Sequence, residues 1–447
     1  MKTTKWFILI LIVALVASIS AACGNTNETS KETSKETSNH SENSTDSKKV
    51  ALRFGTNFVS GGHQLRPMID RLFSEYLEEH PNVSINIEEA PGYDLQTKIQ
   101  LDATSNNLPD VFSYWVPDPA YGLDQMIEAG LLADLTEFTS EPSLKELFGD
   151  DAWGTASIDG KVYGVPLVEY YMFILANKEI FEKAGAKIPE TWEELLDAEE
   201  KLKAAGYIPW GSSVQSDHGQ RLFNYVFSRI LTSERALNML AGNEPMNVPE
   251  AYDAAEKLKE LVVGNIPKDA NAIDHVAMYE RYINTEQAAL LIDVIFRIES
   301  IAPELREKMV PIEFPLIPGG AETEKRVEKD LTQLLYVSAK SWDDPEKRPY
   351  IESFIKKLTS RDAAKAYAEE AKYPIPHQGV DIDPDKVGEL AYKTLQMAQA
   401  VRGNKWLPTV MQPEKRERWL PMLEEFLVGG STPEEFVNQM HNLFYEG

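Results

Sequence analysis

A change in apolar spacing that repeats along residues 50–115 is the feature that most restricts the fold. Residues 50–54 alternate apolar and less apolar side chains, as in a strand with one buried face. Residues 65–77 then place apolar side chains three and four positions apart, which predicts a helix. A second alternation over 83–87 completes a strand–helix–strand unit, and in one sheet such a unit implies parallel strands with a right-handed crossover.

The pattern continues with a predicted helix over 95–103 and a predicted strand over 111–115. Alternating strands and helices indicate an open α/β sheet. Because such sheets bind ligands beyond the carboxyl ends of their strands, three places are candidates for ligand contact. They are the loop 57–63, the strand end at Tyr114 and Trp115, and Asp118.

The chain is strongly acidic, with a formal net charge of -26 over 447 residues. Nucleic acids and anionic lipids carry the same sign of charge, so neither is an expected partner. An acidic surface also keeps a protein soluble, which is the simpler reason for the charge. About 400 residues remain after position 49, and this length predicts two or three domains.

The N-terminal segment has the layout of a secretory signal peptide over residues 1–22. Lysines precede an apolar run over 6–22, and the run ends in small residues. Cys23 follows and is the only cysteine in the chain, so it has no partner for an intramolecular disulfide. The residues Ser-Ala-Ala-Cys resemble the attachment signal of bacterial lipoproteins, which predicts cleavage before Cys23 and lipid on its thiol. The alternative is ordinary cleavage that leaves a free thiol.

Residues 24–49 contain no apolar side chain and carry a short tandem run of Glu-Thr-Ser units. Such a segment cannot bury enough surface to offset its chain entropy. We therefore expect 23–49 to be a lipid-anchored, disordered linker. It would let the folded body sample the membrane surface.

Sequence motifs for catalysis or metal binding are missing. The chain has no Gly-x-Ser-x-Gly elbow, no His-Glu-x-x-His helix, no phosphate-binding Gly-Lys-Ser loop and no cysteine cluster. Its seven histidines are scattered without metal-ligand spacing. We therefore expect no catalytic residue, no metal and no cofactor. Acidic pairs like those of glycosidases are too easily found among 71 Asp and Glu residues to be judged from the sequence.

Aromatic side chains recur near predicted strand ends and loops, where they favour a binding protein. The flat C–H faces of a sugar stack on aromatic rings, while its hydroxyls form hydrogen bonds with Asp, Asn, Gln and Arg. For each ring, ordinary core packing is the alternative. The aromatic residues in question are Trp115, Tyr170, Tyr171, Trp210, Phe296 and Trp406.

A series of short segments also occurs in a characteristic order: 73–83, 109–111, 130–135, 160–166, 177–181, 189–195, 286–290 and 350–360. Together they resemble the extracellular solute-binding proteins of ABC importers, in the group that captures oligosaccharides and includes maltose-binding protein. The resemblance covers residues 50–447. It departs from the family pattern before Gln287 and at 293–297, where a ligand contact is expected.

The resemblance implies a two-lobed periplasmic-binding-protein fold of type II. Each lobe is then an open α/β sheet flanked by helices, and a hinge joins the lobes around a ligand cleft. The first lobe is expected to comprise 50–168 and 311–345. The second is expected to comprise 169–310 and 346–447.

The same resemblance implies the solute-binding lipoprotein of an ABC importer, which captures an oligosaccharide and delivers it to the permease subunits. We expect a monomer, anchored by lipid on the extracellular face of the membrane of a Gram-positive-like cell. One alternative is a binder of another solute, such as a uronate or a peptide. Another is a surface enzyme that acts on polysaccharide.

Position by position, the resemblance also supplies candidate ligand contacts. His63 lies in the Gly-rich loop after the first strand, and one of the adjacent Tyr170 and Tyr171 should face the cleft. Arg297 is the arginine that an anionic ligand would need. The expected ligand-binding residues are His63, Trp115, Tyr170, Tyr171, Trp210, Asp293, Arg297, Gln333 and Trp406.

Overall fold

The computed structural model describes residues 48–117, 121–215, 217–401 and 403–446. The predicted signal peptide over 1–22, the lipidation site at Cys23, most of the linker over 23–49 and the candidate Asp118 lie outside the described residues. Within the described ranges, no helix combines the length and the apolar character needed to cross a membrane.

The strands are β1 (Val50–Thr56), β2 (Val83–Glu89), β3 (Val111–Trp115), β4 (Ser157–Ile158), β5 (Lys161–Val162), β6 (Gly164–Asn177), β7 (Ile208–Gly211), β8 (Ala288–Val294), β9 (Met309–Ile312), β10 (Val327–Val337) and β11 (Gly403–Asn404).

The α-helices are α1 (Arg66–Glu79), α2 (Tyr93–Thr104), α3 (Leu123–Glu128), α4 (Thr136–Thr139), α5 (Pro142–Lys145), α6 (Asp150–Thr155), α7 (Lys178–Lys183), α8 (Trp192–Ala204), α9 (Asp217–Leu231), α10 (Ser233–Leu240), α11 (Pro249–Val262), α12 (His275–Met278), α13 (Pro303–Arg306), α14 (Ala339–Trp342), α15 (Arg348–Leu358), α16 (Arg361–Ala371), α17 (Pro384–Val387), α18 (Glu389–Ala400), α19 (Pro413–Leu427) and α20 (Pro433–His441). Short 3-10 helices span Ile295–Ser300 and Leu407–Val410, and π-helical turns span Tyr279–Ile283 and Asn442–Glu446.

One mixed sheet contains most of these strands, in the order β2-β1-β3-β10-β6-β8-β7, with β11 beside β10 and β9 beside β6. β1 pairs in parallel with β2 and β3, and β7 pairs in parallel with β8. Val50 lies opposite Val83 in the β1–β2 pair. The predicted strand–helix–strand unit with parallel strands is therefore confirmed.

β6 is the strand that joins the two halves of the sheet. Its residues 164–171 pair antiparallel with β10, and its residues 172–177 pair antiparallel with β8 and β9. Nearly every residue of β6 is buried, as in a central strand that is covered on both faces. One continuous strand therefore takes part in both halves.

The apolar face predicted for the first helix packs against β1. Pro67 stands in the first turn of α1, where its missing N–H costs nothing, and the helix ends before His80. The Phe73 ring meets the Phe54 ring edge-on, with ring centroids 5.1 Å apart. The buried residues of α1 are Met68, Ile69, Leu72, Phe73 and Tyr76.

α15 also packs into this core. The Phe354 ring centroid lies 5.6 Å from that of Phe54 and 5.0 Å from that of Phe73. Residues 346–447 were expected in the second lobe, yet α15 and α16 both pack against α1. An apolar helix face can cover either half of a continuous sheet. The spacing of apolar residues along a helix therefore does not identify which half the helix packs against.

The segment that follows residue 311, which is expected in the first lobe, contacts α9. Phe314 stacks on Tyr225 of α9 with ring centroids 5.0 Å apart, and Ile317 lies in the same core cluster. The chain re-enters the first half within β10, whose residues 333–337 pair with β3. The lobe bounds, including the crossing near residue 168, stay predictions.

Replacing Phe354 with Ala should test this packing. We expect the free energy of unfolding to fall by about 3–5 kcal/mol, because a ring buried between two others is removed and leaves a cavity. Chemical denaturation followed by circular dichroism measures the change. Leu101→Ala is the control, since Leu101 is 64% exposed and should change the stability by less than about 0.5 kcal/mol. Fully additive effects of Phe354→Ala and Phe54→Ala would contradict the contact.

Candidate ligand-binding cleft

A cleft of about 390 Å³ opens where β3, β6 and β10 meet α9. Trp115 enters it from the carboxyl end of β3, where the rule for open α/β sheets places ligands. Both halves of the sheet contribute to the lining. The lining residues are Trp115, Tyr121, Tyr170, Met172, Asp217, Gln220, Arg221, Val294, Phe296, Thr332, Trp406, Thr409 and Arg416.

Aromatic rings form the apolar walls of the cleft. The rings of Trp115 and Tyr121 lie 5.4 Å apart between centroids and are tilted by 31° to each other. Phe296 is held by Tyr373, on which it stacks at 5.2 Å with the ring planes only 6° apart. Flat rings on more than one side are suited to an apolar ligand face.

The first turn of α9 supplies polar groups to the cleft. Asp217, whose side chain is 39% exposed, accepts a hydrogen bond from Arg221 of the next turn. It accepts a second one from Nη1 of Arg297 at 3.3 Å. Although burial opposes ionisation, the charges of Arg221 and Arg297 lower the pKa of the Asp217 carboxyl. The cleft therefore contains an ionised carboxylate at neutral pH.

Asp293 lies deeper and is fully buried. Its carboxylate accepts hydrogen bonds from Arg221, from Tyr279 Oη at 2.8 Å and from the backbone N–H of Val294 at 2.7 Å. Burial alone would raise the pKa of Asp293, but the charge of Arg221 and the hydrogen bond from His218 hold that pKa well below its usual value. The buried charge is therefore compensated by its partners.

His218 completes this network through its two ring nitrogens. The backbone N–H of Ser213 donates to His218 Nδ1 at 3.3 Å, so the ring proton is on Nε2. Nε2 lies 3.0 Å from Oδ2 of Asp293 and donates to it. The tautomer of His218 is thus set by its neighbours on both sides.

Trp115, Tyr170 and Trp406, all expected as ligand contacts, line the cleft. Tyr171 is 2% exposed and lies in a different core cluster from Tyr170, on the opposite face of β6. Arg297 is not among the lining residues, but it donates a hydrogen bond to Asp217, which is. The alternation of side chains along β6 thus places the two tyrosines on opposite faces of the strand.

Trp210, which is expected to contact the ligand, is a core residue in the structure and is not among the cleft-lining residues. It is fully buried, and its indole Nε1 donates to Oε1 of Glu199 at 2.6 Å. Asn265 donates to the other oxygen of that carboxyl at 2.9 Å, and burial raises the pKa of Glu199 to about 8. Trp210 therefore ties β7 to α8, because that face of the strand is covered by the helix.

His63 and Gln333 lie beside the cleft lining and support the loop 57–63. The His63 ring packs against Phe58 with centroids 4.7 Å apart, and burial lowers the pKa of His63 to about 4. Gln333 donates from Nε2 to Oδ1 of Asn57 at 2.8 Å. Both side chains therefore stabilise the conformation of the loop after β1.

The sequence did not single out Asp217, Gln220 or Arg221. A signal was present, because Asp217 and Arg221 are four positions apart, the spacing of an ion pair on one helix face. Arg221 also interrupts the apolar pattern of α9, which is buried along nearly its whole length. The lining residues Thr332, Thr409 and Arg416 have no such signal.

A larger cavity of about 610 Å³ lies elsewhere, between residues 298–310 and 387–393. No aromatic side chain lines it, and its charged residues are of both signs. The described residues also contain no group of three His, Cys, Asp or Glu side chains that could hold a metal ion. The aromatic cleft is therefore the better candidate site.

Comparison with known proteins agrees with this architecture. A family model described as bacterial extracellular solute-binding protein matches residues 57–365. The chain is 28% identical over 282 residues to the maltodextrin-binding protein MdxE of Bacillus subtilis, covering 59% of this chain and 62% of that protein. It is 25% identical over 200 residues to a putative binding protein of Brucella abortus, covering 44% of this chain and 46% of that protein. The chain therefore spans about half the length of the Brucella relative.

A solved structure of a probable secreted solute-binding lipoprotein from Streptomyces coelicolor is similar with a TM-score of 0.78 at 17% sequence identity, over 89% of this chain and 99% of that chain. At this identity the likeness establishes the fold, which is the predicted two-lobed α/β fold of periplasmic solute-binding proteins. The family model covers more than half of the 447 residues. The chain is thus a member of the family of bacterial extracellular solute-binding proteins.

Proposed function

We propose that this protein captures an oligosaccharide in its cleft and delivers it to the permease of an ABC importer. The observation that carries the proposal is the cleft lined by Trp115, Tyr121, Tyr170 and Trp406. Small-molecule sites combine such apolar walls with a few placed polar groups, here Asp217 among them. The resemblance to a maltodextrin-binding protein supports a sugar as the ligand.

Closure around the ligand would be the signal to the permease. β6 and β10 run through the region where the halves of the sheet meet, so bending there changes the width of the cleft. Gln64 donates from Nε2 to the backbone oxygen of Phe296 at 3.2 Å, which joins the loop after β1 to the segment after β8. A sugar touching Trp115 and Trp406 together would favour the closed form by its differential contacts.

The family consists of binding proteins, so the polysaccharide-acting enzyme considered from the sequence is set aside. Family membership also places the protein outside the cytoplasm. For the attachment we propose lipid on Cys23, with residues 23–49 as a flexible tether. A tether of this kind raises the effective concentration of the receptor near its membrane partner.

A screen of linear and branched oligosaccharides by thermal shift tests the ligand class. A sugar that binds only the folded protein raises the melting temperature. For the best sugar, Trp115→Ala and Trp406→Ala should each weaken binding about tenfold or more by calorimetry, because truncating a half-buried Trp at a binding surface removes stacking area. Tyr445→Ala is the control, since Tyr445 is 47% exposed and not part of the lining.

Two results would count against the sugar-binding function. Thermal shifts with peptides or uronates but with no neutral saccharide would replace the proposed ligand class. Unchanged affinity in both tryptophan variants would remove the cleft as the binding site.

The lipid anchor has its own test. Cys23→Ala should release the protein from cells into the medium, because the thiol that carries the lipid is gone. Immunoblots of cell and medium fractions measure the distribution, with the unmodified chain as control. Retention of the variant on the cells would contradict the anchor and leave the ligand proposal intact.

A further inference from the structure

We infer that Asp217 selects a neutral sugar by accepting hydrogen bonds from two neighbouring hydroxyls of the ligand. The inference rests on the proposed sugar-binding function and names the class of sugar and the residue that recognises it. Asp217 belongs to the cleft lining, as do Tyr170 and Arg221, and 39% of its side chain is exposed. It is therefore within reach of a bound molecule.

The hydrogen bonds already made by Asp217 leave acceptor positions on both oxygens. Oδ2 accepts from Arg221 and Oδ1 accepts from Arg297. A carboxylate oxygen has two lone-pair sites, so each oxygen can accept one further hydrogen bond. Two adjacent acceptors of this kind match a pair of neighbouring sugar hydroxyls, and bonds to an ionised acceptor are the stronger ones.

The charges around Asp217 are already balanced. Arg221 bridges Asp217 and Asp293, and Arg297 approaches the same two carboxylates. The two guanidinium groups therefore offset the two carboxylates of this cluster. A ligand carboxylate would find neither arginine free and would lie near the negative charge of Asp217, so this part of the cleft disfavours an acidic sugar.

Two buried polar atoms of lining residues are also consistent with a ligand that forms hydrogen bonds. Oε1 of Gln220 and Nε of Arg221 have no hydrogen-bond partner within the described residues. Leaving buried polar groups unpaired costs free energy. Ligand hydroxyls would recover this free energy by donating to Oε1 of Gln220 and by accepting from Nε of Arg221. A hydroxyl does both, whereas a carboxylate only accepts.

Arg416 is the other cation in the lining. A guanidinium donates to sugar hydroxyls as well as to carboxylates, so the test must separate the two uses. If Arg416 served an acidic ligand, the acidic form of the sugar would bind better than the neutral form, and Arg416→Ala would abolish that preference.

Calorimetry on the full chain makes the test, with the best neutral oligosaccharide, its uronic acid derivative and its single deoxy analogues. We expect Asp217→Asn to weaken binding of the neutral sugar at least about tenfold. The matched control is Asp70→Asn, because Asp70 also pairs with an arginine four residues away, at 2.7 Å and 48% exposed, but lies outside the lining. Two deoxy analogues, each lacking one of two neighbouring hydroxyls, should bind worse than the parent to the unmodified protein but about equally to Asp217→Asn.

Equal losses in Asp217→Asn and Asp70→Asn would overturn the inference, as would tighter binding of the uronic acid derivative or a deoxy series that shows no coupling to Asp217. Each of these results presupposes saccharide binding by the unmodified protein and so leaves the proposed function standing. Absence of saccharide binding by the unmodified protein would overturn both. Melting temperatures without ligand, unchanged between the two variants, would show that the loss lies in recognition rather than folding.

Discussion

The antiparallel pairing of the two long strands β6 and β10 is the constraint on which the rest of the structure depends. Buried backbone groups must be hydrogen-bonded, so a central strand cannot leave the sheet where one half ends and the other begins. β6 therefore continues from β10 to β8 and β9, and β10 continues to β3. This pairing places Trp115 opposite Gln333 and Tyr170 opposite Asp330. It thereby positions Trp115 and Tyr170 in the lining of the cleft.

The network around Asp293 adds a second requirement, because a buried carboxylate is tolerated only when its charge and lone pairs are matched. Its partners come from α9, from the π-helical turn after α12 and from β8 itself. The same Arg221 that compensates Asp293 also orients Asp217 toward the cleft. Side chains held in place before binding lose less entropy on binding. The charges that stabilise this part of the fold would thus also prepare the proposed recognition of hydroxyls.

Local patterns predicted the first half of the sheet closely. The strand over 111–115 has the same bounds in the structure, and the helix over 65–77 corresponds to α1. Aromatic residues near strand ends were candidates for ligand contact, but their position in the sequence did not distinguish cleft residues from core residues. Trp115 reached the cleft and Trp210 went into the core, because a ring satisfies either environment and the neighbouring element decides which face is covered.

The sequence by itself determined the alternation of strands and helices, the absence of known catalytic motifs and, through ordered segments, the family. It could do so because apolar periodicity is a property of residues close in the chain. Only the tertiary structure decided that Phe354 packs against Phe54, and that Asp217 and Arg221 meet Asp293 and Arg297. These partners are separated by tens to hundreds of residues, and the choice among many possible long-range contacts depends on the packing of the whole sheet rather than on any local pattern.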